Sequence, residues 1–187
     1  MTEIKTAILQ TERIDKFRVD MAVSLAGSVL LGIFSQISIP LPFTPIPLTL
    51  QTLGVFLLGG LLGSRRALYS VVSYLIQGSI GLPVFAGGVA NPLWILEPKA
   101  GFLFSFLLAA YVIGRLIESK SRLNWTWLLF VLTIGQMIIF VGGVIGLSFY
   151  VGATKAICIG VIPFLLGAVI KVCWAALVIK LRNWVKS

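Results

Sequence analysis

The sequence has no histidine, and only six of its 187 residues are acidic. Without histidine, the commonest metal ligand and the usual general base are missing. The acids are Glu3, Glu12, Asp15, Asp20, Glu97 and Glu118, and none sits midway along an apolar run. Paired-acid hydrolysis and metal-cluster chemistry therefore have no residues to work with. A Gly-x-x-x-x-Gly-Lys phosphate loop is also absent, so the chain does not hydrolyse ATP itself. The two cysteines, Cys158 and Cys173, lie in apolar stretches and read as buried small hydrophobes rather than as a disulfide. Charge of either sign is scarce, at 11% of residues against 58% hydrophobic, with a mean hydropathy of +1.04. Soluble domains carry roughly 25% charged residues. These shortages exclude a water-facing domain and an enzyme, and leave no catalytic, metal or cofactor set.

What is present is a series of apolar runs at 19–39, 47–63, 66–81, 99–117, 125–150 and 157–181. A bilayer core about 30 Å thick takes about 20 apolar residues per helical span. The pattern predicts an all-α polytopic membrane protein of six transmembrane helices. Fusing the second and third runs would strand Arg65 and Arg66 in the bilayer, at about 2.5–3.5 kcal/mol each. Gly63-Ser64-Arg65-Arg66 is accordingly expected to be a tight turn at a membrane surface.

The net charge of +9 does not point to nucleic acid. The basic residues cluster between apolar runs instead of forming one continuous face. In a six-span arrangement twelve of the fifteen face one side, leaving Lys99, Lys155 and Lys171. The positive-inside rule then places both termini in the cytoplasm. Residues 1–18 read as a cytoplasmic amphipathic segment with Ile4, Ile8, Ile14 and Phe17 as its apolar members. Its acids argue against a cleaved signal peptide. Residues 19–187 form the membrane domain, with outer loops at 40–46, 82–98 and 151–156.

Plain connectors are polar, but the first two of these loops are apolar and rich in proline and glycine. Phe85 and Trp94, with Leu93 and Ile95, either fold over a cavity as a lid or dip into the headgroup layer, where tryptophan is favoured. The double glycine at Gly87 and Gly88 and the density of prolines fit the lid better. Lys171 interrupts the last apolar run about 14 Å before Lys180 at helical rise. One reading is snorkelling of its amine to an interface. The other is a cation facing a water-filled pocket, paired with an anionic ligand. Lys99 and Glu97 flank Pro98 at the entry to the fourth span, as interfacial charges or as part of the same site. Asn91, Gln51, Gln77 and Gln136 are polar side chains able to hydrogen-bond a solute or another helix. With no intramembrane carboxylate for ion coupling, three classes stay open. They are a solute binder driven by another protein, a passive facilitator or channel, and a membrane assembly subunit with no ligand.

Three segments carry a resemblance. Pro45-Ile-Pro-Leu-Thr-Leu-Gln51 resembles the Pro-x-Pro-x-Thr-x-Gln element of the BioY biotin-transporter S components. Gly81-Leu-Pro-Val-Phe-Ala-Gly-Gly88 is similar to their outer-loop signature, and Pro163-Phe-Leu-Leu-Gly-Ala-Val-Ile-Lys171 to their last-helix segment. The resemblance implies the substrate-binding subunit of an energy-coupling factor (ECF) transporter. It also implies a vitamin held near the outer face, a membrane coupling subunit and two ATPase subunits as partners. Ala22 and Ala26, four apart on one helix face, match the surface through which such subunits dock. Two departures stand out. Ala168 replaces an Asp three residues before the lysine, and Pro98-Lys-Ala-Gly-Phe102 replaces Pro-Thr-Gly-Gly-Tyr. Loss of the Asp weakens recognition of biotin's ureido ring and tilts the expectation slightly towards lipoate, which keeps a sulfur ring and an acid tail.

Overall fold

Apolar runs with few breakers become helices in lipid because the backbone has no water to bond and must satisfy itself within the segment. The computed structural model describes the backbone of residues 2–120 and 122–186, with side chains from 13 to 120 and from 122 to 184. Seven helices follow in order: α1 (Thr2–Gln36), α2 (Gln51–Leu62), α3 (Ser64–Ser79), α4 (Ala100–Glu118), α5 (Trp125–Val151), α6 (Ala153–Gly160) and α7 (Leu165–Lys186). The only strands among the described residues are Ser38–Ile39 and Leu48–Thr49. They pair antiparallel as a short ribbon, Ser38 opposite Thr49 and Ile39 opposite Leu48.

Four stretches are long and apolar enough to cross a membrane: Arg13–Gln36, Ala100–Glu118, Trp125–Val151 and Ala153–Trp184. The other two expected runs are shorter as helices. α2 has 12 residues, about 18 Å at 1.5 Å per residue, because the proline-rich segment before it turns at Pro42-Phe43 and returns as strand through Thr49. The break at Gly63, with φ of 84°, is a single residue. Arg65 and Arg66 therefore belong to the first turn of α3 and not to a turn between helices.

Two further boundaries differ from the sequence reading. α5 ends at Gly152, with φ of 81°, and helix resumes at Ala153, so most of the segment expected as a loop at 151–156 is helical. Pro163, which lacks an N–H, sits in a short 3₁₀ turn at Ile162–Phe164 and divides the last stretch into α6 and α7. At the other end of the chain α1 runs unbroken through residue 18. Ile14 and Phe17 are exposed there, whereas the side chains of Ile4 and Ile8 lie outside those described. Cys158 and Cys173 are free thiols, but both are exposed rather than buried, because they point away from the bundle.

α4 is the central helix, packed on α2, α3 and α5. It meets α5 along a glycine seam. A Cβ on Gly101 would lie 2.8 Å from the Gly146 Cα, and one on Gly142 would lie 3.2 Å from the Gly101 carbonyl. The fully buried core includes Phe56, Tyr74, Ile113, Leu128 and Leu132.

The two ends of the bundle can be told apart by their polar contacts. At the end holding the α2–α3 junction, Glu118 accepts from the Ser64 N–H and from the Ser64 hydroxyl, each at 2.8 Å. That carboxylate fills the place of a cap for α3, whose first N–H groups have no partner within the helix. Arg66 pairs with Asp20 on α1, Arg182 donates to the Leu61 carbonyl, and Lys180 donates to the Leu123 carbonyl.

Candidate functional site

At the opposite end the helices splay around a cavity of about 680 Å³, counting its mouth. Its construction begins with the proline segment. The ribbon delivers Thr49, Leu50 and Gln51 in register to the start of α2. The Thr49 hydroxyl accepts from the Gln51 N–H at 3.3 Å and donates to Gln51 Oε1 at 3.2 Å. Gln51 Nε2 donates in turn to the buried Tyr74 hydroxyl on α3.

Lys171 enters from α7. Its Nζ donates to the Thr49 carbonyl at 2.6 Å and to the Thr52 hydroxyl at 3.0 Å. Both partners are neutral, and among the described residues no acid pairs with it. Lys99 also lines the cavity, but its amine lies 2.7 Å from Glu97 Oε2, so its charge is already offset. The two lysines, ranked first and second from sequence, are thus electrostatically distinct. A cation in an apolar enclosure without a counter-ion favours an anionic guest far more than one already paired.

The loop from 80 to 99 supplies one wall. Gly81, Gly87 and Gly88 have φ of 95°, 77° and 71°, a region in which only glycine sits without strain. The last two turn the chain so that Phe85 bridges to Val89. Ser35 donates to the Val84 carbonyl, while Gln36 Nε2 donates to the carbonyls of Pro83 and Phe85, both at 3.3 Å. The turn is thereby pinned to the end of α1. Phe85 is 1% exposed and meets Tyr74 edge-on at 5.5 Å between ring centroids. Trp94, 3% exposed, lies 6.0 Å behind Phe85 and donates its indole N–H to the Ser79 hydroxyl at 2.8 Å.

Of the residues singled out from sequence, Lys171, Lys99, Gln51 and Phe85 come together in the cavity lining. Trp94, Asn91, Gly87 and Gly88 do not line it. Trp94 buttresses Phe85 from behind. Asn91 holds the loop, its amide donating to Glu97 Oε1 at 2.6 Å and its oxygen accepting from the Leu93 N–H at 2.8 Å. The glycines shape the turn that presents Phe85 and Ala86. The loop's apolar residues divide between the two expected roles, since Leu93 is 66% exposed and Ile95 54%. Those two face outward.

The sequence reading missed Thr49, Thr52, Phe102, Phe106, Phe140 and Phe164 as cavity residues, had Gln136 only as a general polar candidate, and had Ala168 at the ligand only through the family resemblance. A spacing signal existed for some of them. Phe102 and Phe106 are four apart on α4, as Gln136 and Phe140 are on α5, and each pair shares a helix face. Gln136 is 5% exposed, and its side-chain oxygen has no hydrogen-bond partner among the described residues. Aromatic walls with a few converging polar groups and one uncompensated cation suit a small organic anion with an apolar body.

A bundle of long apolar helices enclosing such a cavity defines a multi-pass membrane protein of the solute-handling class. The family model described as the BioY family matches residues 8–187. A biotin transporter of Thermotoga maritima is 40% identical over 152 residues, covering 81% of this chain and 88% of that one. A biotin transporter of Rhizobium etli is 36% identical over 165 residues, covering 83% and 87%. A solved structure, the crystal structure at 2.1 Å of the S-component for biotin from an ECF-type ABC transporter, matches with a TM-score of 0.80. It is 28% identical, covering 90% of this chain and 93% of that one. The chain belongs to the BioY family, a family of membrane transporters and not of enzymes.

Proposed function

We propose that the chain is the substrate-binding S component of an ECF-type transporter and that its cavity holds biotin. The observation that carries this reading is Lys171, a cation in an apolar cavity with only neutral partners. Biotin's carboxylate supplies the missing anion, and its ring system fills the space between Phe85, Phe102, Phe106 and Phe140. Lys99 is the second candidate for the carboxylate, behind Lys171 because Glu97 already offsets it. Lipoate carries the same acid, and Ala168 in place of an acidic residue speaks for it. The relatives at 32–40% identity are named for biotin, and that outweighs the single substitution.

Six membrane crossings with both termini cytoplasmic complete the proposal, with α2 and α3 as the short pair. The twelve-to-three division of basic residues supports it, and reporters fused at Ser187 and Asn91 should label opposite sides. The exposed pair Ala22 and Ala26 on α1 is the proposed docking face for a membrane coupling subunit served by two ATPases. Tryptophan at both positions should abolish transport and co-purification while leaving ligand affinity intact. Uptake by this chain alone in liposomes would favour a passive facilitator instead.

The deciding experiment is calorimetry with biotin on the purified protein. A charge-assisted hydrogen bond contributes about 1.5–3 kcal/mol, so Lys171→Ala should weaken binding about 10- to 150-fold. Unchanged affinity would remove Lys171 as the carboxylate partner.

A further inference from the structure

We infer that Gln136 reads the ligand's ring, its carboxamide pairing with the N–H/C=O edge of a cyclic urea. The inference rests on the biotin reading above and adds the residue that separates a ureido ring from a ring without N–H groups.

Nearly every other polar side chain facing the cavity is already engaged. Gln51 is bonded to Thr49 and Tyr74, the Thr52 hydroxyl accepts from Lys171, and Lys99 is paired with Glu97. Gln136 differs. It sits mid-helix on α5, 95% buried, with its oxygen lacking a partner among the described residues. Buried carbonyl oxygens are nearly always bonded, and an unpartnered one on a residue that lines a cavity marks the place of an absent donor. If Gln136 served only to hold helices together, that oxygen would have a neighbouring donor.

On the facing helix, Ala168 lies three residues before Lys171 and lines the same cavity. Its methyl group accepts nothing, so that position on α7 offers the cavity no acceptor, and α5 offers one through Gln136. The carboxamide carries an acceptor and a donor side by side. In a cyclic urea the ring N–H and C=O also lie on the same side, so the two groups can close a pair of hydrogen bonds. A dithiolane ring has no N–H and would leave the Gln136 oxygen buried and unpaired. Sites built to bond a polar group reject analogues that lack it, because the site's own group is then stranded.

The test is calorimetry on the purified full-length protein with biotin, its two mono-N-methylated ureido derivatives and lipoate. The native chain should bind biotin and discriminate against at least one N-methyl derivative by about 5- to 150-fold. Gln136→Leu should weaken biotin by a similar factor, erase that discrimination and leave lipoate affinity unchanged or raised. Adding Ala168→Asp to Gln136→Leu should restore preference for biotin by returning an acceptor from α7. Gln136→Asn, which withdraws the amide by one methylene, should give the same loss if the leucine substitution does not fold. Biotin binding unaffected by Gln136→Leu, or undiminished discrimination against the N-methyl derivatives, would overturn the role of Gln136 alone. A native chain that binds no biotin would overturn the functional reading on which it rests.

Discussion

The two ends of the bundle differ in how completely they satisfy their polar groups. At the end with the α2–α3 junction, charges meet charges or fill helix termini: Asp20 with Arg66, Glu118 on Ser64, Arg182 on the Leu61 carbonyl. At the cavity end, Lys171 has only neutral partners and Gln136 has an oxygen with none. Satisfied groups lower the energy of the fold, whereas unsatisfied ones raise it and are tolerated where a ligand completes them. The difference separates structural polarity from binding polarity more sharply than residue type does, since lysine and glutamate serve at both ends.

Substitutions can break or sharpen that contrast. The largest effect is expected at Lys171. Lys171→Met should cost about 10- to 150-fold in biotin affinity while changing thermal stability in detergent little, because removal of a half-buried charge without a counter-ion offsets the lost bonds to Thr49 and Thr52. A fall in stability matching the fall in affinity would make Lys171 a structural residue. Gly78→Ala comes next. Its Cβ would run into the Phe85 ring, and overpacking of this kind costs about 1–3 kcal/mol. Melting temperature and biotin affinity should fall together, since Phe85 belongs to both core and cavity. Glu118→Ala should destabilise by about 1–3 kcal/mol through the stranded Ser64 groups, with affinity unchanged in the protein that remains folded. The smallest effect belongs to Asp20→Asn. Its pair with Arg66 is 30% and 39% exposed, and such surface pairs contribute about 0–1 kcal/mol. A large loss of ligand affinity in either Glu118→Ala or Asp20→Asn would collapse the distinction between the ends.

The sequence made the helices legible because apolar runs between Arg/Lys clusters leave few alternatives in lipid. It also exposed Lys171, since a lone cation in such a run stands out by composition alone. What it hid was pairing across the fold. Glu97, two residues from Lys99, hinted that the two lysines differ, but that it pairs with Lys99 while Lys171 meets only Thr49 and Thr52 is settled by the fold. Trp94 drew attention as a lid residue, yet its indole N–H finds Ser79 and places the ring behind Phe85. Gln136 looked like any polar residue on a membrane helix. Its distinction is a missing partner, and only the packed neighbours reveal that. Helix ends were misjudged where glycine or proline acted singly, at Gly63, Gly152 and Pro163.

The glycine seam between α4 and α5 has a consequence for how the vessel opens. With Gly101 set against Gly142 and Gly146 at backbone contact, that side leaves little room to rearrange and behaves as a fixed wall. The opposite side is joined more lightly, through the Lys171 bonds to Thr49 and Thr52 and through the turn pinned by Ser35 and Gln36. A guest that draws Lys171 onto its own carboxylate loosens the clasp between α7 and α2 as it arrives. On the proposed reading, filling and unlatching become a single event, and the ribbon and the glycine turn, rather than the α4–α5 seam, form the side that yields.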